Sequence, residues 1–188
     1  AVSARSRRQR RHLAKIDFHA FVASLATGAA YARDALSQPR EGTLLTVLRE
    51  FAVASATVSE RASDFRQLFS AALVGVRASL DGTRNQLEEL RAANVVDAGA
   101  LGFVEVLEGM THYLDTGEMA RVDAPVHAGD ETMVQATVSS DQDFRYCTEC
   151  LVTADEGREI DLRHLREQLG TLGGSLVVSG SKRKAKVH

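Results

Sequence analysis

The spacing of apolar residues changes once along this chain, and that change sets what it can fold into. From Asp17 to about Gly117 apolar positions recur every three to four residues; beyond about Val122 they alternate every second residue. The first period lines one face of a helix, the second one face of a strand. The expected fold class is α+β overall: an all-helical bundle followed by a small α+β domain.

In the helical half, Phe18, Phe21, Val22, Leu25, Ala29 and Leu36 share a face, and Pro39 stops that helix. After Pro39-Arg40-Glu41-Gly42, a second face runs through Leu44, Leu48, Phe51, Ala52 and Ser55. Phe65, Leu68, Phe69, Ala72, Leu73, Val76 and Leu80 make a third, with Asp64 placed to cap it and Asp81-Gly82 expected to end it. A short polar helix over about 83–92 follows. The last helix, about 98–114, is expected to bury Phe103, Val106, Leu107, Met110 and Leu114.

In the second half, Val134, Ala136 and Val138 alternate with polar neighbours, as a half-buried strand requires. A second strand places Phe144, Tyr146, Thr148, Cys150 and Val152 on one face and Arg145, Cys147, Glu149 and Leu151 on the other. Asp161 caps a helix over Leu162–Leu169 that ends near Gly170, and Ser175–Ser179 and Ala185–His188 complete the order β-β-α-β-β. The divisions are a basic leader over 1–16, the helical domain over 17–121, a linker over 122–132 and the α+β domain over 133–188.

The motif Cys147-Thr148-Glu149-Cys150 invites a redox or zinc reading. Such pairs usually sit on turns, where two sulfurs converge; on a strand, residues three apart point to opposite faces. A dithiol is therefore not expected, and Cys150 reads as a buried small hydrophobe. Two cysteines among 188 residues and 44% hydrophobic content fit a reducing, cytoplasmic setting. No apolar run approaches the ~20 residues of a membrane helix, so no integral membrane segment is expected. A net charge of −2 gives no electrostatic case for nucleic acid. The arm bearing Arg5, Arg7, Arg8, Arg10, Arg11 and Lys15 lacks the interleaved aromatics that base stacking uses and reads as a solvated end. His12, His19, His112, His127 and His164 have no partner pattern and read as surface residues.

Three stretches carry a resemblance: PREGTLLTVLRE (39–50), NVVDAGALGFVEVLEGM (94–110), and FRYCTECLV followed by LGGSLVVSG and KVH. Together they resemble the ATP-binding subunit of bacterial fatty acid kinase. In that family a helical domain similar to the nucleotide-binding (DhaL-like) domain of dihydroxyacetone kinase is joined to a middle α+β domain. The resemblance implies nucleotide contact at Gly42, Thr43 and Leu44 and at Asp97, Ala98 and Gly99. Both stretches open a helix, where free N–H groups favour anions. Thr43 and Asp97 also suit simple capping of their own helices, a role compatible with the first.

The chain departs from that family at its start. The family holds magnesium with closely spaced aspartates in a DGDTGTN-like stretch and follows it with an ARGNSG-like phosphate loop. Residues 3–16 here read SARSRRQRRHLAKI, and the nearest acid, Asp17, reads as lying within a helix. No catalytic residue is assigned, and the chain reads as a fragment or degenerate copy, truncated at both ends. In the second domain the resemblance makes Cys147 and His188 candidate zinc ligands, with Glu149 able to orient the histidine or to serve as a ligand. The implied cofactors are ATP with magnesium in the complete protein, and zinc in the middle domain. The implied activity is phosphorylation of a fatty acid presented by a DegV-type lipid-binding protein or fused domain, by a homodimeric kinase. The alternative is a non-catalytic module for dimerisation and partner docking.

Overall fold

A computed structural model describes residues 16–119 and 146–188. The first segment folds into five helices: α1 (Phe18–Asp34), α2 (Leu44–Ser59), α3 (Phe65–Gln86), α4 (Glu88–Ala93) and α5 (Ala98–Thr116). The second carries β1 (Cys150–Thr153), α6 (Leu162–Leu169), β2 (Val178–Gly180) and β3 (Lys184–Val187). The α+β class and its order, helices first, match the change of period. The strand expected around Val134–Val138 lies outside the described residues.

Each long helix begins where a short polar side chain can accept from the first turn. Asp17 accepts from Ala20 at 2.8 Å, Asp64 from Gln67 at 2.9 Å and Asp97 from Ala100 at 2.8 Å, while Thr43 caps α2. Asp17 is thus the N-cap of α1 and not a residue within it. The core between the helices centres on Val47, Leu68, Phe69, Ala72, Val76, Ala100 and Val104. Through it runs a line of aromatic contacts, Phe18–Phe65–Phe21–Phe69–Phe51–Phe103, with ring centroids 5.2 to 6.0 Å apart. Such edge and stacked pairs add to the burial of apolar area.

Two helical expectations need correction. Asp81-Gly82 does not end α3, which continues to Gln86, so the polar helix starts later, at Glu88. Leu80 and Thr83 are both buried, and holding them there outweighs the roughly 1 kcal/mol helix penalty of a glycine. In α5 the buried residues are Ala100, Val104, Leu107 and Thr111, while Val106 and Met110 are exposed. Those two line an apolar groove of about 720 Å³ with Ile16, Phe21, Tyr113 and Met119.

The small domain is a three-stranded antiparallel sheet in the order β1-β3-β2, with α6 packed on β2. Leu176, Val178 and Val187 form its core, covered by Leu162, Leu165 and Leu169 of α6 and by Val152. Three readings are corrected here. Among the described residues pairing starts at Cys150, so residues 146–149 of the expected two-faced run lie outside any strand and the strand is Cys150–Thr153; Phe144 and Arg145 lie outside the described residues. Cys150 is exposed, because α6 covers β2 at one edge while β1 forms the other. The strand expected at Ser175–Ser179 shifts to Val178–Gly180, since Ser175 adopts φ 53° and breaks the extended run. The Asp161 cap, accepting from Arg163 and His164, and the bounds of α6 are as expected.

Candidate functional site

The two helix-opening turns meet. A Cβ placed on Gly99 would lie 3.6 Å from Cβ of Leu44, so the start of α5 rests against the start of α2. The end of α3 packs against the first turn: a Cβ on Gly42 would come within 2.7 Å of Gln86 Cβ, and Gly42 has φ +84°. Both the backbone conformation and the close approach require glycine there. Gly42, Thr43, Leu44, Asp97, Ala98 and Gly99 are therefore brought to one end of the bundle.

The polar groups of the first turn are tied in a relay. Gly42 N–H donates to Thr46 Oγ1 at 2.8 Å, and Thr46 donates to Glu41 Oε2 at 2.7 Å. Glu41 also pairs with Arg33 at 2.9 Å and Arg49 at 3.4 Å, and Arg40 pairs with Glu89 of α4 at 3.0 Å. The Thr46 hydroxyl, more than the neighbouring arginines, holds the Glu41 carboxyl below its ordinary range. Thr43 Oγ1 donates to Arg40 O at 2.8 Å and takes a long 3.4 Å bond from Leu45 N–H.

In the second turn, Asp97 N–H donates to Thr83 Oγ1 at 3.1 Å, and Thr83, fully buried, donates to Leu80 O at 2.6 Å. The capping roles of Thr43 and Asp97 are thus both realised. Capping leaves part of each turn unfilled. Among the described residues, the N–H groups of Thr43, Leu44, Ala98 and Gly99 have no acceptor. Two adjacent helix N-termini therefore present four donors and two positive dipole ends to the same region. Gly42 N–H is not one of them, since Thr46 occupies it; its contribution is the shape of the turn.

Cys147 and His188 also meet, from residues 41 apart in sequence. Cys147 Sγ lies 3.4 Å from His188 Nε2 and 3.9 Å from Nδ1, and Glu149 Oε1 stands 3.1 Å from Nδ1. Backbone bonds in both directions between His188 and Val177, at 2.7 and 2.9 Å, hold the histidine at the end of β3. Lys186 at 3.0 Å, then His188, keep the Glu149 carboxyl below its ordinary range, so it stays an acceptor. An ionised Glu149 fixes the ring hydrogen on Nδ1 and leaves Nε2 as the free donor atom.

A tetrahedral zinc with bonds of about 2.3 Å to sulfur and about 2.0 Å to nitrogen needs these atoms roughly 3.5 Å apart. The separation fits; the ring orientation does not, because the sulfur is nearly as close to Nδ1 as to Nε2 and so sits beside the ring, too far to the side for a zinc on the Nε2 lone pair to reach it. Among the described residues no group of three or more His, Cys, Asp or Glu side chains is arranged to hold a metal. His19, His112 and His164 are exposed, as expected, and His12 and His127 lie outside the described residues. Sequence reasoning missed Thr46, Thr83 and Lys186, whose partners are fixed only by packing. Glu41 lies inside the PREGTLLTVLRE stretch, and its place before a helix-opening Gly-Thr was the available signal.

Residues 3–112 match the DAK2 domain, and residues 143–188 match the FakA-like middle domain of fatty acid kinase. The chain is 33% identical over 177 residues to protein YloV of Bacillus subtilis, an alignment covering 89% of this chain and 32% of that protein. It is 30% identical over 186 residues to an uncharacterized protein of Staphylococcus epidermidis, covering 93% and 33%. A Staphylococcus aureus relative is 29% identical over 171 residues, covering 88% and 31%. The chain spans about a third of the length of these relatives.

Proposed function

Because the chain belongs to the DAK2 domain family and carries a FakA-like middle domain, we propose that it is the nucleotide-holding part of a kinase that phosphorylates a fatty acid. The observation that carries this reading is the meeting of the Gly42-Thr43-Leu44 and Asp97-Ala98-Gly99 turns with four unfilled N–H donors. Paired helix N-termini suit the phosphate end of ATP. Phosphoryl transfer needs a metal ion to neutralise phosphate charge. The carboxylates nearest the turns do not fit that task, since Glu41 is engaged by Thr46 and two arginines and Asp97 by Ala100. No step is assigned to them, and on this reading the magnesium ligands lie outside the two turns.

The fatty acid would arrive on a DegV-type lipid-binding protein or fused domain, and the product would be an acyl phosphate. In the middle domain, Cys147 and, once its ring is turned, His188 would supply two zinc ligands, with Glu149 orienting His188 through Nδ1 and the two remaining ligands coming from a second copy or additional chain. Bound zinc there would be structural, tying the sheet's end to residues before β1. Elemental analysis of wild type against Cys147→Ser tests this part: zinc lost in the variant supports it, and equal metal content refutes it.

The kinase reading is tested by calorimetric titration of Mg-ATP into this chain and into one extended at both ends to the relatives' length. Weak or absent heat for the short chain and micromolar binding for the long one are expected. No binding by the long chain would overturn it. The second reading, a docking and dimerisation module, draws on the apolar groove bearing Val106, Met110 and Tyr113. It predicts a concentration-dependent dimer that Met110→Lys abolishes; a monomer at all concentrations would remove it.

A further inference from the structure

The two parts of the chain are joined by backbone pairing, and a charged cleft opens beside that joint. Just after α1, Ser37 N–H donates to Leu176 O at 3.0 Å and Val178 N–H donates to Ala35 O at 2.8 Å, so Leu36 pairs antiparallel with Val177. The end of α1 on one side, and α6 with the β2–β3 turn on the other, enclose about 850 Å³. That is the size of a small-molecule site. Four cations line it, Arg33, Arg163, Arg166 and Lys182, against one carboxylate, Asp34.

Two of the cations are already paired, Arg33 with Glu41 and Lys182 with Glu159, each at 2.9 Å. The other two are not. Among the described residues Arg163 makes no ion pair, and Arg166 gives only one Nη2 bond, to Val178 O at 3.3 Å. Its Nε–H is buried with no acceptor. A buried donor left unmet is costly and uncommon, and Arg84 Nε and Ser55 Oγ share that state among the described residues. What Arg166 offers the cleft is the rest of its guanidinium, which makes only the one long bond to Val178 O. The start of α6 does not need an acceptor, because Asp161 already takes the N–H groups of Arg163 and His164 at 3.0 and 3.1 Å. The unmet donors are therefore side chains.

We infer that this cleft is a binding site for a small organic phosphate monoester, held by the guanidinium forks of Arg163 and Arg166. Arginine forks match phosphate oxygens in pairs, and with Arg33 and Lys182 already neutralised by Glu41 and Glu159, Arg163 and Arg166 stand against the single carboxylate Asp34 and leave a net positive charge for an anion. The exposed ring of Tyr31, with Pro39 beside it, forms the wall for the organic part. A ligand there would brace the helical part against the sheet a few residues before the Gly42 turn. This site is separate from the turns assigned to ATP and does not depend on that reading.

The test uses phenyl phosphate, inorganic phosphate and benzoate as probes of the full chain, followed through backbone amide signals. The expected result is saturable binding of phenyl phosphate, at least fivefold tighter than benzoate, with shifts at Ser179–Lys182. Arg163→Gln should weaken it about tenfold while leaving the rest of the spectrum unchanged. Tyr31→Ala should remove the advantage of phenyl phosphate over inorganic phosphate. Equal binding of benzoate, shifts confined to Thr43–Leu44 and Ala98–Gly99, or an unaffected Arg163→Gln variant would each overturn the assignment.

Discussion

At the scale of single residues, the Gly42 turn is the most constrained point in the chain. Replacing Gly42 with alanine demands a positive φ from a residue that avoids it and drives a methyl within 2.7 Å of Gln86 Cβ. Strain and overpacking together should cost about 2–4 kcal/mol, read as a drop in denaturation midpoint. Thr83→Val should cost about 1–3 kcal/mol, because Asp97 N–H loses its buried acceptor while the shape is kept. Glu41 makes the turn sensitive to acid. Its folded carboxyl titrates below its ordinary value of 4.5, chiefly through Thr46. Its contribution is therefore whole above the ordinary value and is lost as pH falls through the lower folded one. Thermal melts from pH 7 to pH 3 should show this loss, and Glu41→Gln should flatten that limb while lowering stability at pH 7. A variant as acid-sensitive as wild type would discard Glu41 as the titrating group. The caps Asp64, Asp97 and Asp161 were readable from the sequence because a cap is a local event. Cys150 was misread because its exposure depends on which sheet edge α6 leaves uncovered.

At the scale of elements, α3 shows where local rules yield to packing. Asp81-Gly82 has the composition of a stop, yet Leu80 and Thr83 on either side are buried and hold the helix through it. Gly82 thus sits in a helix interior with nothing nearer its missing Cβ than Gln86 Nε2 at 3.7 Å. Gly82→Ala should stabilise by about 0.5–1 kcal/mol, and urea denaturation that shows a loss instead would mean α3 is broken there. The apolar period of α5 was read correctly as helical. Its buried face was not, since Val106 and Met110 carry the same spacing whether they meet a core or a groove. Periodicity reports that a face is apolar and leaves open what lies against it.

At the scale of the whole molecule, the order of parts was legible from the single change of period, and the two candidate sites were legible as sets of residues. What the sequence did not carry was the joint between Leu36 and Val177, a pairing of backbone groups 141 positions apart in the numbering. Nor did it carry the cleft beside that joint. Long-range pairing depends on how domains face each other, and neither composition nor spacing encodes that locally. The account as a whole rests on the starts of α2 and α5 acting together on one nucleotide. The most direct test is to titrate Mg-ATP into an isotopically labelled chain extended at both ends to the relatives' length and follow the amide signals of Thr43, Leu44, Ala98 and Gly99. The account predicts that all four shift along one shared saturation curve. Shifts at only one of the two turns, or none at either while ATP binds elsewhere, would contradict it.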